Sequence, residues 1–267
     1  MHPYVNTAVR AARKAGDIIA HAYSRLDLVK VTKKGKNEFV TNIDKKAEYE
    51  IINLLRTAYP SHGFLGEESG SQKGDDYQWI IDPIDGTTNF IQGIPHFCIS
   101  IALSFKNRIE HGVIYDPIRD EIFTASRGAG AQLNNHKIRV GNKRTIEECL
   151  LGIGFPYHSP EFHDSYYELV KNISKKTIGL RRMGSAALDL AYVASGRLDG
   201  FFEVGLSIWD IAAGVLIIKE AGGLVSDIEG GENYWKNGRI VTGNPKIFKP
   251  LLKEVSAYLK PNYDKQG

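Results

Sequence analysis

The stretch Trp79-Ile80-Ile81-Asp82-Pro83-Ile84-Asp85-Gly86-Thr87-Thr88-Asn89-Phe90 constrains the fold more than any other, because an apolar run stops at two carboxylates and turns through glycine into hydroxyls. It reads as the end of a buried strand feeding a helix start or a tight turn. Pro83 fixes its own backbone angle, restricts Asp82 before it and offers no N–H. Both carboxylates can therefore converge on one small volume. Hard cations such as Mg2+ take carboxylate and carbonyl oxygens, so Asp82, Asp85 and the carbonyl of Ile84 form a partial ligand set. Gly86 lets the backbone approach a ligand closely, and N–H groups at a helix start attract an anion.

A strand buried in this way needs a large core. At 267 residues, 42% apolar and 24% charged, the chain has an ordinary globular composition and can supply one, as a single big domain or two fused lobes. The formal charge of +3 gives no ground for direct nucleic-acid binding. Cys98 and Cys149 each sit inside an apolar run and read as buried free thiols. Met1-His2-Pro3-Tyr4 lacks a basic segment followed by an apolar one, and no apolar run approaches the ~20 residues of a membrane span. The expectation is a cytoplasmic protein without membrane contact.

Apolar residues at Val5, Ala8, Val9, Ala12, Ile18 and Ile19 recur at helical spacing and predict a packing helix over residues 4–26. Residues 30–37, with four lysines, read as a solvated loop, or as a place where Lys33 gathers an anion or lines a metal site. Thr41 is a predicted N-cap with Asp44 at the third helical position, where a charge favoured by the helix start would suffice to explain it. Glu67 and Glu68 follow a short predicted strand at Phe64-Leu65, so they point to opposite sides and only one faces the site. Strands over 97–105, 109–115 and 121–125 predict antiparallel sheet, with hairpins at Asn107-Arg108 and Asn134-Asn135, the second closing on residues 137–140.

The apolar pattern lapses over residues 141–148, which divides a single domain of residues 1–267 into lobes of about 1–145 and 146–267. The second lobe alternates predicted strands (150–155, 178–183, 198–204, 224–228, 239–242) with helices (161–173, 184–195, 209–218, 246–259). Gly184-Ser185-Ala186-Ala187 opens one helix, either as a receiver of a polar ligand or as a close-packing point. Asp210 heads an almost wholly apolar helix, either as a dipole partner or as a ligand in a cleft.

Glu67, Asp82, Asp85 and Asp210 are four acids at apolar boundaries, and held together they would raise one another's pKa and destabilise the fold unless cations neutralise them. A cluster of about two to three Mg2+ ions removes that penalty and suits phosphate-ester hydrolysis, one ion lowering the pKa of a water and others polarising the phosphoryl group. Thr87 and Asp44 can serve as the pair that holds and orients the water. No cysteine or serine motif competes as nucleophile, so direct attack by water is preferred over a covalent intermediate.

The segments Gly66-Glu67-Glu68-Ser69, residues 79–90 and residues 209–214 (WDIAAG) together resemble the signatures of the inositol monophosphatase family, and the likeness continues through EFVTNID near Asp44, GSAALDLAYVASGRLDGFFE and KEAGG. The resemblance implies a layered α-β-α-β-α sandwich of the α+β class. It also implies that Glu67, Asp82, Ile84 (through its carbonyl), Asp85 and Asp210 bind Mg2+, that Asp44 and Thr87 with Glu67 carry catalysis, and that the Gly86 and Thr87 amides bind phosphate. By the same resemblance, Gly184, Ser185, Ala186, Glu203 and Asp210 line the substrate side, and Lys33 matches a lysine of a mobile loop. A small-molecule phosphate monoester as substrate, a homodimer and inhibition by Li+ follow. Related sugar or nucleotide phosphatases share the metal core, and bacterial relatives associate with the RNA polymerase and Nus factor machinery, so both remain alternatives.

Overall fold

Strands that are apolar on both faces need cover on both sides, and in this chain helices supply it. The computed structural model describes residues 2–35, 38–157 and 159–260. Helix α1 (Pro3–Tyr23) leads into a hairpin of β1 (Val31–Gly35) and β2 (Glu38–Thr41), then α2 (Asn42–Ala58). A large sheet follows from β3 (Gly63–Gly66), β4 (Gly70–Gln72), β5 (Tyr77–Asp85), β6 (Cys98–Phe105), β7 (Arg108–Asp116), β8 (Glu121–Ser126), β9 (Gly130–Leu133) and β10 (His136–Lys137), with the short α3 (Thr87–Ile91) between β5 and β6. The second half holds β11 (Leu150–Ile153), α4 (His163–Ile173), β12 (Gly179–Arg181), α5 (Ala186–Ala194), β13 (Gly200–Glu203), α6 (Ile208–Glu220), β14 (Leu224–Ser226), α7 (Tyr234–Asn237), β15 (Ile240–Gly243) and α8 (Phe248–Leu259).

The eight-stranded sheet runs β10-β9-β8-β7-β6-β5-β3-β4 and the five-stranded sheet β12-β11-β13-β15-β14. Alternation along β5 shows how they are covered. Trp79 and Ile81 join the core beneath α1 and α2, with Ile19, Ile51 and Leu55, whereas Ile80 faces the other way, into a core shared with Leu190, Phe201 and Leu216. Helices α5 and α6 thus lie between the sheets, and α4 and α8 cover the far face of the small sheet through Tyr166, Leu169, Leu251 and Val255. The result is the α-β-α-β-α layering expected of an α+β sandwich. Each fully buried large apolar side chain stabilises it by about 1.5–3 kcal/mol.

Several boundaries differ from the sequence reading. Residues 30–37 were expected to be loop, but Val31–Gly35 pairs with Glu38–Thr41 across an antiparallel register; Lys36 and Asn37 lie outside the described residues. The hairpin expected at Asn107-Arg108 turns one residue earlier. Phe105 pairs with Arg108, and Lys106 and Asn107 take the positive φ values of 50° and 62° that a two-residue turn of this hand requires. The hairpin at Asn134-Asn135 is as expected, with φ of 47° and 67°, but its return strand covers only His136–Lys137. Both cysteines are buried free thiols.

Candidate active site

Three helix starts and two strand ends meet at one cleft of about 590 Å3, lined by Glu67, Gly86, Thr87, Glu203, Trp209 and Asp210 among others. A separate hollow of about 650 Å3 beside α1, lined by His2, Tyr4 and His111 among others, carries none of these acids.

Asp82 and Asp85 are three residues apart, and in a regular strand they would point to opposite faces. The pairing of β5 with β6 shifts between them: Asp82 lies opposite Ser100 and Asp85 opposite Cys98. One extra residue on β5 is a bulge, and it restores both carboxylates to the same side. Pro83 fits there because a bulge needs no ladder N–H from it, and Ile84 N–H folds back to Asp82 Oδ1 at 2.9 Å. Asp210 joins them from the first turn of α6, where its Oδ2 accepts the Ser207 N–H at 2.7 Å. Asp210 is therefore both a cap partner and a cleft residue. Oxygens of Asp82, Asp85 and Asp210 all lie within 4.8 Å of one another.

This geometry raises all three acids above the usual carboxylate range. Asp82 is pushed well up by burial and then by the charges of Glu67, Asp85 and Asp210. Asp210 is pushed well up by burial and then by Asp85. Burial also raises Asp85, against the pull of hydrogen bonds from Ser185 and the α5 backbone. Three carboxylates this close cannot all be ionised without a cation among them, and an all-oxygen set suits a hard divalent ion. The donor set fits a metal.

Glu67 stands outside the tight trio, half-buried after β3, with its N–H on the Ile81 carbonyl at 3.1 Å. Its charge acts on Asp82, while that of Glu68 acts on Asp44. The loop that carries them is pinned by Glu48, a 2% exposed side chain that accepts the Glu68 and Ser69 N–H groups at 2.9 and 2.8 Å. Gly66 leaves room for this contact, since a Cβ would meet the Glu48 carboxyl at 2.6 Å and displace it from those N–H groups. Glu48 escaped the sequence reading, although an acid on the apolar face of α2, beside Ala47, Ile51 and Ile52, was the available signal.

Thr41 caps α2, donating from its N–H to Asp44 Oδ2 at 2.8 Å and from its hydroxyl at 2.5 Å. The other oxygen of Asp44 faces Thr87, whose Oγ1 is 3.1 Å from Asp44 Oδ1 and 2.9 Å from the Ile84 carbonyl. Burial raises the pKa of Asp44 despite the Thr41 hydrogen bonds. If Thr87 gives its single proton to Asp44, its lone pairs remain to receive a proton from a water. Gly86 holds φ at 100°, and a Cβ there would come within 3.0 Å of the His96 carbonyl. That close turn is what brings Thr87 back over the cluster.

Of the residues expected on the substrate side, Gly184 and Glu203 face the cleft, and burial pushes Glu203 up to about 8. Ser185 is buried at the N-cap of α5, and its hydroxyl donates to Asp85 Oδ2 at 2.7 Å, as does the Ala187 N–H at 2.6 Å. The start of α5, read from the sequence as a receiver of a polar ligand or as a close-packing point, gives these two donors to Asp85. Ala186 and Ser185 border a smaller recess behind the cleft. Lys33 is exposed on β1, opposite Phe39, and Phe39 itself lines the cleft. No helix among the described residues is long and apolar enough to cross a membrane.

The family model described as "Inositol monophosphatase family" matches residues 1–260. Over 257 residues, 96% of each chain, the sequence is 52% identical to Nus factor SuhB of Escherichia coli K12. The crystal structure of extragenic suppressor protein suhB from Bartonella henselae superposes with a TM-score of 0.93 at 45% identity, covering 95% of this chain and 98% of that one. The inositol monophosphatase of Anabaena (Nostoc) gives a TM-score of 0.86 at 37% identity, covering 96% of each.

Proposed function

Because the chain belongs to the inositol monophosphatase family, we propose that it is a Mg2+-dependent phosphomonoesterase that hydrolyses inositol monophosphate to myo-inositol and phosphate. The observation that carries this reading is the convergence of Asp82, Asp85 and Asp210 oxygens within 4.8 Å, beside the Thr87–Asp44 hydrogen bond at 3.1 Å. The three aspartates, with Glu67 and the Ile84 carbonyl, would hold the ions. When bound, Mg2+ supplies a lowered pKa for water and neutralises charge on the phosphoryl oxygens.

The protein's own groups do the rest. Thr87 holds the attacking water by accepting its hydrogen, and Asp44 behind it orients the threonine hydroxyl and takes up the proton. The Gly86 and Thr87 amides fix the phosphate in line, and Glu203 accepts a polyol hydroxyl. Water attacks phosphorus directly as the P–O ester bond breaks, the leaving alkoxide takes a proton from solvent, and Asp44 returns its own proton to solvent, which closes the balance. The protein acts as a homodimer.

A second reading, association with RNA polymerase and Nus factors, is favoured by the 52% identity to a protein named as a Nus factor. It is compatible with the first, because the same chain retains the acid cluster. The enzymatic reading is tested by phosphate release from a panel of inositol, sugar and nucleotide monophosphates. Inositol 1-phosphate should give the highest kcat/KM, and a better sugar or nucleotide substrate would move the assignment to that class.

A further inference from the structure

Strand β11 carries glycine at 152, and a second glycine follows the strand at 154. Residues two apart share a face of an extended chain, so over about 7 Å one face carries no side chain of its own, and at Gly152 Leu198 and Phe201 pack onto it, 2.9 and 3.1 Å from where a Cβ would stand. Two carboxyl groups from other elements lie on it. The Glu203 carboxyl occupies the place a Cβ on Gly154 would take, and the Asp189 carboxyl carbon lies 3.7 Å from where a Cβ on Gly152 would stand. A recess of about 130 Å3 opens here at the inner end of the cleft, lined by Asp85, Ser185, Asp189, Glu203 and Arg182 among others.

Asp189 has no evident structural reason to be an acid. It is 1% exposed on α5 between the fully buried Leu188 and Leu190, and its Oδ1 has no hydrogen-bond partner among the described residues. The start of its own helix cannot serve it, because the Ser185 hydroxyl and the Ala187 N–H are given to Asp85. A buried, unpaired carboxyl oxygen is costly, and in native proteins it marks a place where something else completes the set.

We propose that this recess is a hydroxyl subsite in which Asp189, together with Glu203, receives hydroxyl groups of a polyol monophosphate, so that Asp189 sets the preference for polyhydroxylated over simple phosphate esters. The inference rests on the phosphatase reading above. The recess has room for about four waters at ~30 Å3 each, or for the hydroxyl-bearing edge of a ring. The rest of the ligand lies in the 590 Å3 outer cleft. Glu203 and Arg182 border both spaces, and Arg182, stacked 5.4 Å over Tyr157, sets a cation at the rim between them. A site that hydrogen-bonds a hydroxyl discriminates strongly against an analogue without it, because its own buried groups are then left unpaired.

The test compares wild type, Asp189→Leu and Asp189→Asn on two substrates. One is p-nitrophenyl phosphate, which carries no hydroxyl. The other is whichever of inositol 1-phosphate, glycerol 2-phosphate and glucose 6-phosphate the wild type hydrolyses fastest. Asp189→Leu should lower the ratio of the two kcat/KM values, polyol over p-nitrophenyl, about tenfold, mainly through KM for the polyol. Asp189→Asn keeps one acceptor oxygen and should lower it about threefold, which decides the matter alone should the leucine variant not fold. An unchanged ratio overturns the subsite, as does an equal loss on both substrates, or a wild type with no preference for polyol esters. Failure on inositol 1-phosphate alone, with another polyol ester hydrolysed, counts against the inositol reading and leaves the ratio test standing.

Discussion

Helices α5 and α6 lie side by side between the two sheets and both begin at the cleft, yet their starts are satisfied in opposite ways. In α6 the helix's own acid does it: Asp210 accepts the Ser207 N–H at 2.7 Å. In α5 the acid comes from a strand about a hundred residues earlier, since Asp85 takes the Ser185 hydroxyl and the Ala187 N–H. The helix's own acid, Asp189, is left with an oxygen that has no partner among the described residues. A local cap fixes one ligand by short-range geometry, whereas a borrowed acid ties the large sheet to the middle helix layer. Asp85 is thus the best supported member of the trio, and Asp82, whose carboxylate is given the Ile84 N–H at 2.9 Å, depends most on a cation.

Replacing each acid separates the two modes. Asp85→Asn and Asp210→Asn should each lower phosphate release about 10^3-fold, as expected when charge stabilisation at the reacting centre is lost. Their stabilities should differ. Asp85→Asn loses charge-assisted bonds to α5 and should cost about 2 kcal/mol, whereas Asp210→Asn gains from reduced repulsion and should be near neutral. Calorimetric unfolding of the metal-free proteins reads the difference, and equal Tm values would remove the distinction between borrowed and local acids.

The smaller effect lies with α2, whose capping box resembles that of α6 in using its own aspartate. Thr87→Ala should reduce kcat about 10^2-fold with little change in KM. Adding Asp44→Asn to it should cost little more, because the two act as a unit. Full additivity in the double variant would show that the pair does not act together.

The smallest effect concerns pH and stability. Burial and repulsion hold Asp82 and Asp210 well above the usual range and burial places Glu203 at about 8. For groups raised in this way, stability is present below the unfolded pKa and lost as pH rises through the folded one. His96 and His111, drawn down to about 4 by burial, act in the opposite sense, but their contribution is complete above the ordinary histidine value of 6.5. Between pH 6.5 and 8 the metal-free chain should therefore lose Tm with rising pH, by about 4 °C, and Mg2+ should flatten the slope. A flat profile in EDTA would show that the acids impose no such strain.

The contrast between the helices also explains what could be read from the sequence. Asp44 is legible because Thr41 stands three residues before it, Asp210 because it heads an almost wholly apolar helix, and the layering through the resemblance carried by the acidic motifs. The bulge at Pro83 was half legible. The proline signalled an irregular strand, but the shift of register that aligns Asp82 with Asp85 depends on pairing with Ser100 and Cys98. Glu48 and Asp189 were not picked out, since an acid inside an apolar helix declares itself only as an exception, and its partner, or lack of one, is set by elements far away in the chain. Residues 31–35 read as loop because lysines mask a strand whose partner fixes it.

The central claim is that the acid trio holds a divalent cation on which phosphate release depends. Titration of Mg2+ by calorimetry into wild type and Asp82→Asn, with phosphate release from inositol 1-phosphate measured on the same samples, tests it most directly. Saturable binding and turnover in wild type, both lost in Asp82→Asn, is the predicted result. Turnover that survives EDTA, or an Asp82→Asn protein that binds Mg2+ and hydrolyses as fast as wild type, would contradict it.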